Sequence, residues 1–207
     1  MLPFKTPFIA PYLYPKLTWK VRTAEKQIFL TFDDGPIPQL TDWVLDILKS
    51  FEAKATFFCV GENIKKYPEI FGRIIQDGHA IGNHTQHHLN GKKTPLDKYL
   101  ADALACDEAI QSKGQNTTLF RPPYGRLTTA QRKKMLQQKK VIMWDVLTQD
   151  YDQSIDSDLI LKKSIAATEK GSIVVFHDNL KAENNLKAVL PKYLDYFAKQ
   201  GFRFEAL

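Results

Sequence analysis

Ile28-Phe29-Leu30-Thr31-Phe32-Asp33-Asp34-Gly35-Pro36 is an apolar run that ends in two adjacent carboxylates and a turn. The β-branched and aromatic residues of 28–32 predict a buried strand, and Gly35-Pro36 stops it. Two anions side by side at the mouth of a core strand repel each other and lose hydration. A cation must compensate them, and a metal ion together with an arginine is the expected combination. A plainer alternative is open on these residues alone: Asp34-Gly35 begins a turn and Asp33 caps the following helix.

Working outward, Leu40, Val44, Ile47, Leu48 and Phe51 recur at helical spacing, and Ala55–Val60 returns to a strand, giving a β-α-β unit. Pro68 opens a helix that Gly78 ends, and Ala80-Ile81-Gly82 reads as a short strand. Thr94-Pro95-Leu96-Asp97 has the pattern of a capped helix start, and Thr128 with Gln131 has the pattern of another. Thr118–Phe120, Val141–Trp144, Ser172–Phe176 and Phe202–Phe204 complete seven strand candidates. A helix over about 156–169 and a last one through Phe197, with Pro191 at its start or at a kink, separate the final strands. Such alternation implies a parallel sheet with helices outside. A barrel is the economical closure, an open doubly wound sheet satisfies the same order, and in both the active groups sit at the C-terminal strand ends. Residues 1–24, with Pro3, Pro7, Pro11 and Pro15, are expected to form an irregular arm packed on a domain spanning 25–207.

Composition narrows the function classes. The chain has 207 residues, and its 29 Lys plus Arg exceed 23 Asp plus Glu, which permits an anionic partner. The densest basic cluster, Arg132-Lys133-Lys134 with Lys139-Lys140, flanks a helix and lacks a stacking platform, so no nucleic-acid partner is expected. Cys59 and Cys106 show no metal or disulfide spacing and are read as buried thiols. Prolines and Lys5 interrupt the N-terminus before a signal-peptide core forms, and no transmembrane run follows. The expectation is a soluble, cytoplasmic monomer.

Three of the five histidines, His84, His87 and His88, follow the third strand, and the i, i+4 pair His84 and His88 predicts two ligands on one face of a helical turn. His79 is assigned to structure. Arg121-Pro122-Pro123-Tyr124-Gly125 predicts a rigid loop whose Arg121 orients a first-strand acid, with a backbone N–H after Pro123 free for an oxyanion. His177-Asp178 closes a buried strand, where a histidine is placed for acid or base work and Asp178 for capping the next helix.

In chain order, Thr31-Phe-Asp-Asp-Gly35, His84-Thr-Gln-His-His88, Arg121-Pro-Pro-Tyr-Gly125, Trp144 to Tyr151 and Val175-Phe-His177 resemble the polysaccharide deacetylase family, the NodB homology domain of carbohydrate esterase family 4. The resemblance covers about residues 25–207 and implies an α/β fold, a distorted (β/α) barrel of seven or eight strands. It implies Asp34, His84 and His88 as metal ligands, with zinc the default divalent ion and cobalt or nickel also suited. It implies Asp33 as catalytic base held by Arg121, His177 as general acid paired with Asp150, and the Tyr124 N–H as an oxyanion donor. Val175 stands where the family has a pocket-lining leucine. Leu147 stands where the family often has an acid, and Tyr151 where it usually has tryptophan, so this wall of the groove is less polar. The implied activity is removal of N-acetyl groups from a chitin-like or peptidoglycan-like amino-sugar chain. O-acetyl ester cleavage on a polysaccharide such as acetylated xylan, or carbohydrate binding around a structural metal, are the alternatives.

Overall fold

The computed structural model describes residues 3–207, so residues 1 and 2 of the expected arm lie outside the described range. Its strands are β1 (Gln27–Asp33), β2 (Thr56–Cys59), β3 (Ala80–Asn83), β4 (Leu119–Phe120), β5 (Lys140–Val141), β6 (Val146–Leu147), β7 (Ile173–His177) and β8 (Arg203–Glu205). The helices are α1 (Ala10–Leu13), α2 (Leu40–Ser50), α3 (Gly61–Lys66), α4 (Pro68–Gln76), α5 (Leu96–Gln111), α6 (Thr129–Met135), α7 (Ser157–Ala167) and α8 (Glu183–Ala198). β1 is the centre of the sheet. It pairs with β2 and β7 along its C-terminal part and with β8 at Gln27–Phe29, all in parallel.

The strand order β5-β4-β3-β2-β1-β7-β6 decides between barrel and open sheet. A flat sheet in this order would hold β5 and β6 about 29 Å apart at the usual inter-strand spacing. Only residues 142–145 join them, and the steps from Val141 to Val146 reach at most about 18 Å fully extended. The sheet therefore curls into a distorted (β/α) barrel. Along the seam between β5 and β6 the N-terminal segment supplies the missing partners: the Leu147 N–H donates to Phe4 O, Thr6 N–H to Asp145 O, Thr18 N–H to Val141 O and Met143 N–H to Thr18 O.

That seam explains why eight strands form where seven were expected. The run Val141–Trp144 is not one strand, because the Ile142 and Met143 carbonyls turn inward and accept from the Arg121 guanidinium. Pairing with β7 then resumes at Val146 as β6. Two local expectations also change. Thr94 does not cap α5: its hydroxyl donates to Asn90 O, closing the preceding turn, and Pro95 occupies the cap position. Pro191 lies inside α8 and so does not open it. Thr128 and Gln131 do form the reciprocal box at α6.

Below the strand ends the core is apolar and continuous. Phe32 stacks between Phe57 and Phe176, with ring centroids 5.0 and 5.9 Å away, and each such side chain removed from water contributes about 2–3 kcal/mol. Cys59 and Cys106 are buried free thiols. His79 is buried, accepts the Ala55 N–H, and is pulled down to about 4 by burial with help from Lys54, so its role is structural.

Candidate active site

The two adjacent acids of β1 diverge. Side chains two apart on a strand share a face, and Thr31 and Asp33 both receive Arg121: its Nη1 lies 2.7 Å from Thr31 Oγ1 and 2.7 Å from Asp33 Oδ1. Arg121 is fully buried and its guanidinium stacks 4.1 Å from the Phe58 ring centroid. This pairing overturns the alternative of Asp33 as a helix cap, since α2 begins only at Leu40 with no side-chain cap.

Asp34 leaves the strand with φ 87°. Asn63 Nδ2 holds its carbonyl at 2.8 Å, and Asn179 Nδ2 donates to Oδ2 at 2.5 Å. Its Oδ1 is buried without a hydrogen bond, although His88 Nε2 lies 3.0 Å and His84 Nε2 3.5 Å away. Nδ1 of His84 lies 2.7 Å from the Arg121 carbonyl. A carbonyl only accepts, so Nδ1 carries the hydrogen, and in the neutral ring Nε2 presents a lone pair. A lone pair facing a carboxylate oxygen is repulsive unless a cation lies between them. Asp34, His84 and His88 offer ligand atoms all within 4.8 Å of one another, so a divalent ion fits this donor set.

The histidines do not reach this point on a helical turn. Thr85 (φ 65°) and His88 (φ 54°) adopt left-handed backbone in a loop, which brings the His84 and His88 rings to 5.1 Å. Side chains fasten that loop. Asn83 Oδ1 accepts the Thr85 N–H, Asn83 Nδ2 donates to Ala103 O and Asp107, and Asp102 Oδ2 accepts the Gln86 and His87 N–H groups. His87 turns away to Asp102 Oδ1, 2.5 Å from its Nδ1.

Across the cleft, Asp150 is fully buried and takes two groups of one residue: the His177 N–H at 2.8 Å and its Nδ1 at 2.7 Å. Burial opposes a charged His177, but the Asp150 carboxylate, joined by the charges of Asp34 and Asp33, outweighs it and pushes the imidazole up to about 9. The Tyr151 ring stands edge-on to it at 4.9 Å. Tyr124 has φ 60° within the turn closed by the Gly125 N–H and Pro122 O, its own N–H donates to nothing among the described residues, and its ring packs 4.7 Å from His88. Of seven non-glycine residues with positive φ among those described, five (Asp34, Thr85, His88, Tyr124 and Gln149) lie in these loops. Backbone strain is thus concentrated where the polar groups converge.

Together these side chains surround a cleft of about 520 Å³, with Leu147, Val175, Tyr151 and Trp144 as its less polar lining. All eleven residues to which the family resemblance gives a place in the site meet in or directly behind it. One other was missed and one was misjudged. Asn179 orients Asp34, and nothing in the sequence marked it. Asp178 does not cap α8: it is buried, accepts from Thr41 Oγ1 at 2.6 Å and the Gly35 N–H at 3.1 Å, and so anchors the turn that carries Asp34. A Cβ at position 35 would lie 2.0 Å from its carboxyl oxygen, which is why glycine follows the acids. Burial pushes this carboxyl up to about 8.

Residues 20–141 match the family model described as polysaccharide deacetylase. A peptidoglycan-N-acetylglucosamine deacetylase of Bacillus cereus is 33% identical over 91% of this chain and 89% of its own length. A second protein of that description from the same organism is 37% identical over 87% of this chain, but only 66% of its own length is covered. The crystal structure of the Bc1960 peptidoglycan N-acetylglucosamine deacetylase superposes with a TM-score of 0.89 at 32% identity, covering 98% of this chain and 95% of that one. No helix among the described residues is long and apolar enough to cross a membrane.

Proposed function

The chain belongs to the polysaccharide deacetylase family, and from that premise we propose that it hydrolyses N-acetyl groups on an amino-sugar glycan of the peptidoglycan or chitin type, releasing acetate. The observation that carries the proposal is the opposition of two held groups across one cleft: Asp33 fixed by Arg121, and His177 fixed by Asp150. Asp34, His84 and His88 would hold a divalent ion, zinc by preference. Such an ion lowers the pKa of water and polarises a carbonyl.

Asp33 accepts the proton of the water as its oxygen bonds to the acetyl carbon. Arg121, with no other acid beside it, keeps the carboxylate aimed. Charge that develops on the former carbonyl oxygen meets the unpaired Tyr124 N–H. His177, held protonated by Asp150, donates to the sugar nitrogen as the C–N bond breaks, so the amine leaves neutral. Acetate and a free amino sugar result. Leu147, Val175 and Tyr151 shape the groove around the acetyl group and its sugar.

The test is acetate release from N-acetylglucosamine oligomers, measured with zinc, after chelation, and after zinc is restored. Release that stops and returns is the expected result. Oligomer binding with no acetate release from the zinc-loaded protein would overturn the enzymatic reading and leave a binding module.

A further inference from the structure

We infer that the rim of the cleft recognises carboxylates on the sugars flanking the acetylated one, so that an anionic glycan is preferred to a neutral one. The inference rests on the function proposed above and names its substrate class. Lys93, Arg126 and Lys181 line the cleft and are exposed. None of the three has an acid within ion-pair distance among the described residues.

The balance of charge within the cleft makes these cations informative. Its only lining acids are Asp33 and Asp34. Asp33 is matched by Arg121, and Asp34 faces the candidate ion site. The floor is therefore neutralised locally while the rim stays positive, and His177 is matched by Asp150. Asp152, whose charge Lys181 also feels, is outside the cleft lining and accepts from Ser154.

The cations also flank the reacting position. Lys93 and Arg126 belong to one wall, because Gly91 packs so closely on the Arg126 carbonyl that a Cβ there would lie 2.3 Å from it. Lys181 follows β7, which β3, β2 and β1 separate from the β4 whose loop carries Arg126, and its Nζ stands 5.9 Å over the Tyr151 ring. A neutral sugar needs hydroxyl partners and aromatic faces, which Asn90, Trp144 and Tyr151 supply. Three unpaired cations on opposite walls offer something only an anionic chain uses, and clefts lined by one sign of charge concentrate the opposite sign.

The experiment uses peptide-free peptidoglycan strands, in which every second sugar carries a carboxylate, and the same strands with those carboxylates capped as methyl amides. Affinity is measured on the metal-free chain and acetate release on the zinc-loaded chain. For the wild type, the carboxylate form should be favoured about tenfold in both at low salt, with the advantage shrinking at high salt. The triple variant Lys93→Gln, Arg126→Gln, Lys181→Gln should bring the two forms within about twofold. Equal treatment of both forms by the wild type, or an advantage that survives in the triple variant, overturns the inference. Acetate released equally from both forms leaves the deacetylase reading standing without it. A binding preference that the triple variant abolishes, with no acetate from either form, does the reverse.

Discussion

His177 and His87 are held by the same device. Each presents Nδ1 to one oxygen of an aspartate, Asp150 at 2.7 Å and Asp102 at 2.5 Å, and each gives its own backbone N–H to the other oxygen of that aspartate, at 2.8 and 3.1 Å. Their surroundings differ. The His177 side chain is 13% exposed and lines the cleft, whereas that of His87 is 58% exposed and lies outside it. Asp150 therefore fixes the charge and orientation of a group facing the cleft, while Asp102, which also takes the Gln86 N–H, fixes the path of a loop. An aspartate–histidine pair is not chemistry by itself; what the far nitrogen faces decides its use.

The comparison is broken most severely through His88, next in sequence to His87. His88→Ala removes one of three candidate ligands, so bound zinc and acetate release should both fall by at least about a hundredfold. His87→Ala should keep its zinc, as read by metal analysis of the purified chain. Zinc retained in the first variant and lost in the second would reverse the ligand assignment.

His177→Ala should lower kcat about 10²- to 10⁴-fold with zinc content unchanged, the usual worth of a positioned acid. The same change at His87 should leave kcat within about twofold. A His177 variant with normal kcat and a raised KM would remove it from proton transfer.

Asp150→Asn sharpens the comparison through pH. In the wild type His177 is protonated up to about 9, so activity should hold through neutral pH and fall on an alkaline limb well above the ordinary imidazole value of about 6.5. The same protonation adds stability below pH 6.5 that is lost as pH rises through about 9, because the folded state holds the proton more tightly than the unfolded one. With asparagine the main support of the charged ring is gone, and burial is opposed only by the Coulombic pull of Asp34 and Asp33. The limb should move down toward the ordinary imidazole range and the rate at pH 7.5 should drop about tenfold. An unmoved limb would show that another group controls it.

Much of this arrangement was legible because chemistry and topology coincide: Asp33, Asp34, Arg121 and His177 all stand at or just beyond strand ends, where an alternating α/β pattern places them without knowledge of pairing. Closure was not legible, since it depends on β5 and β6 lying at opposite ends of the strand order, a fact about which strands pair. The spacing of His84 and His88 singled out the two rings that the structure brings together, but for the wrong reason. Four residues apart suggested a helical turn, but the left-handed backbone of Thr85 and His88 brings them together, held by Asn83 and Asp102 from behind. Thr94 illustrates the same limit, as its hydroxyl had a competing carbonyl at Asn90 that local pattern does not reveal. Asp178 was misjudged because its partners, Gly35 and Thr41, are about 140 residues away.

The smallest effect concerns Asp102→Asn. One amide oxygen can still accept the Gln86 and His87 N–H groups if the NH₂ turns toward His87 Nδ1, and the exposed His87 ring can shift its hydrogen to Nε2 and accept from the amide at Nδ1. What is lost is the charge that strengthens those bonds, worth about 1–3 kcal/mol of stability, readable as a lowered Tm. Because the loop carries His84 and His88, zinc affinity should weaken by about tenfold, while kcat at saturating zinc stays within about threefold. The outcome separates the two aspartates: Asp150 acts on the rate through His177, and Asp102 acts on the fold through the loop. A large fall in kcat at saturating zinc, with Tm unchanged, would place Asp102 and His87 in the chemistry after all and erase the distinction between the pairs.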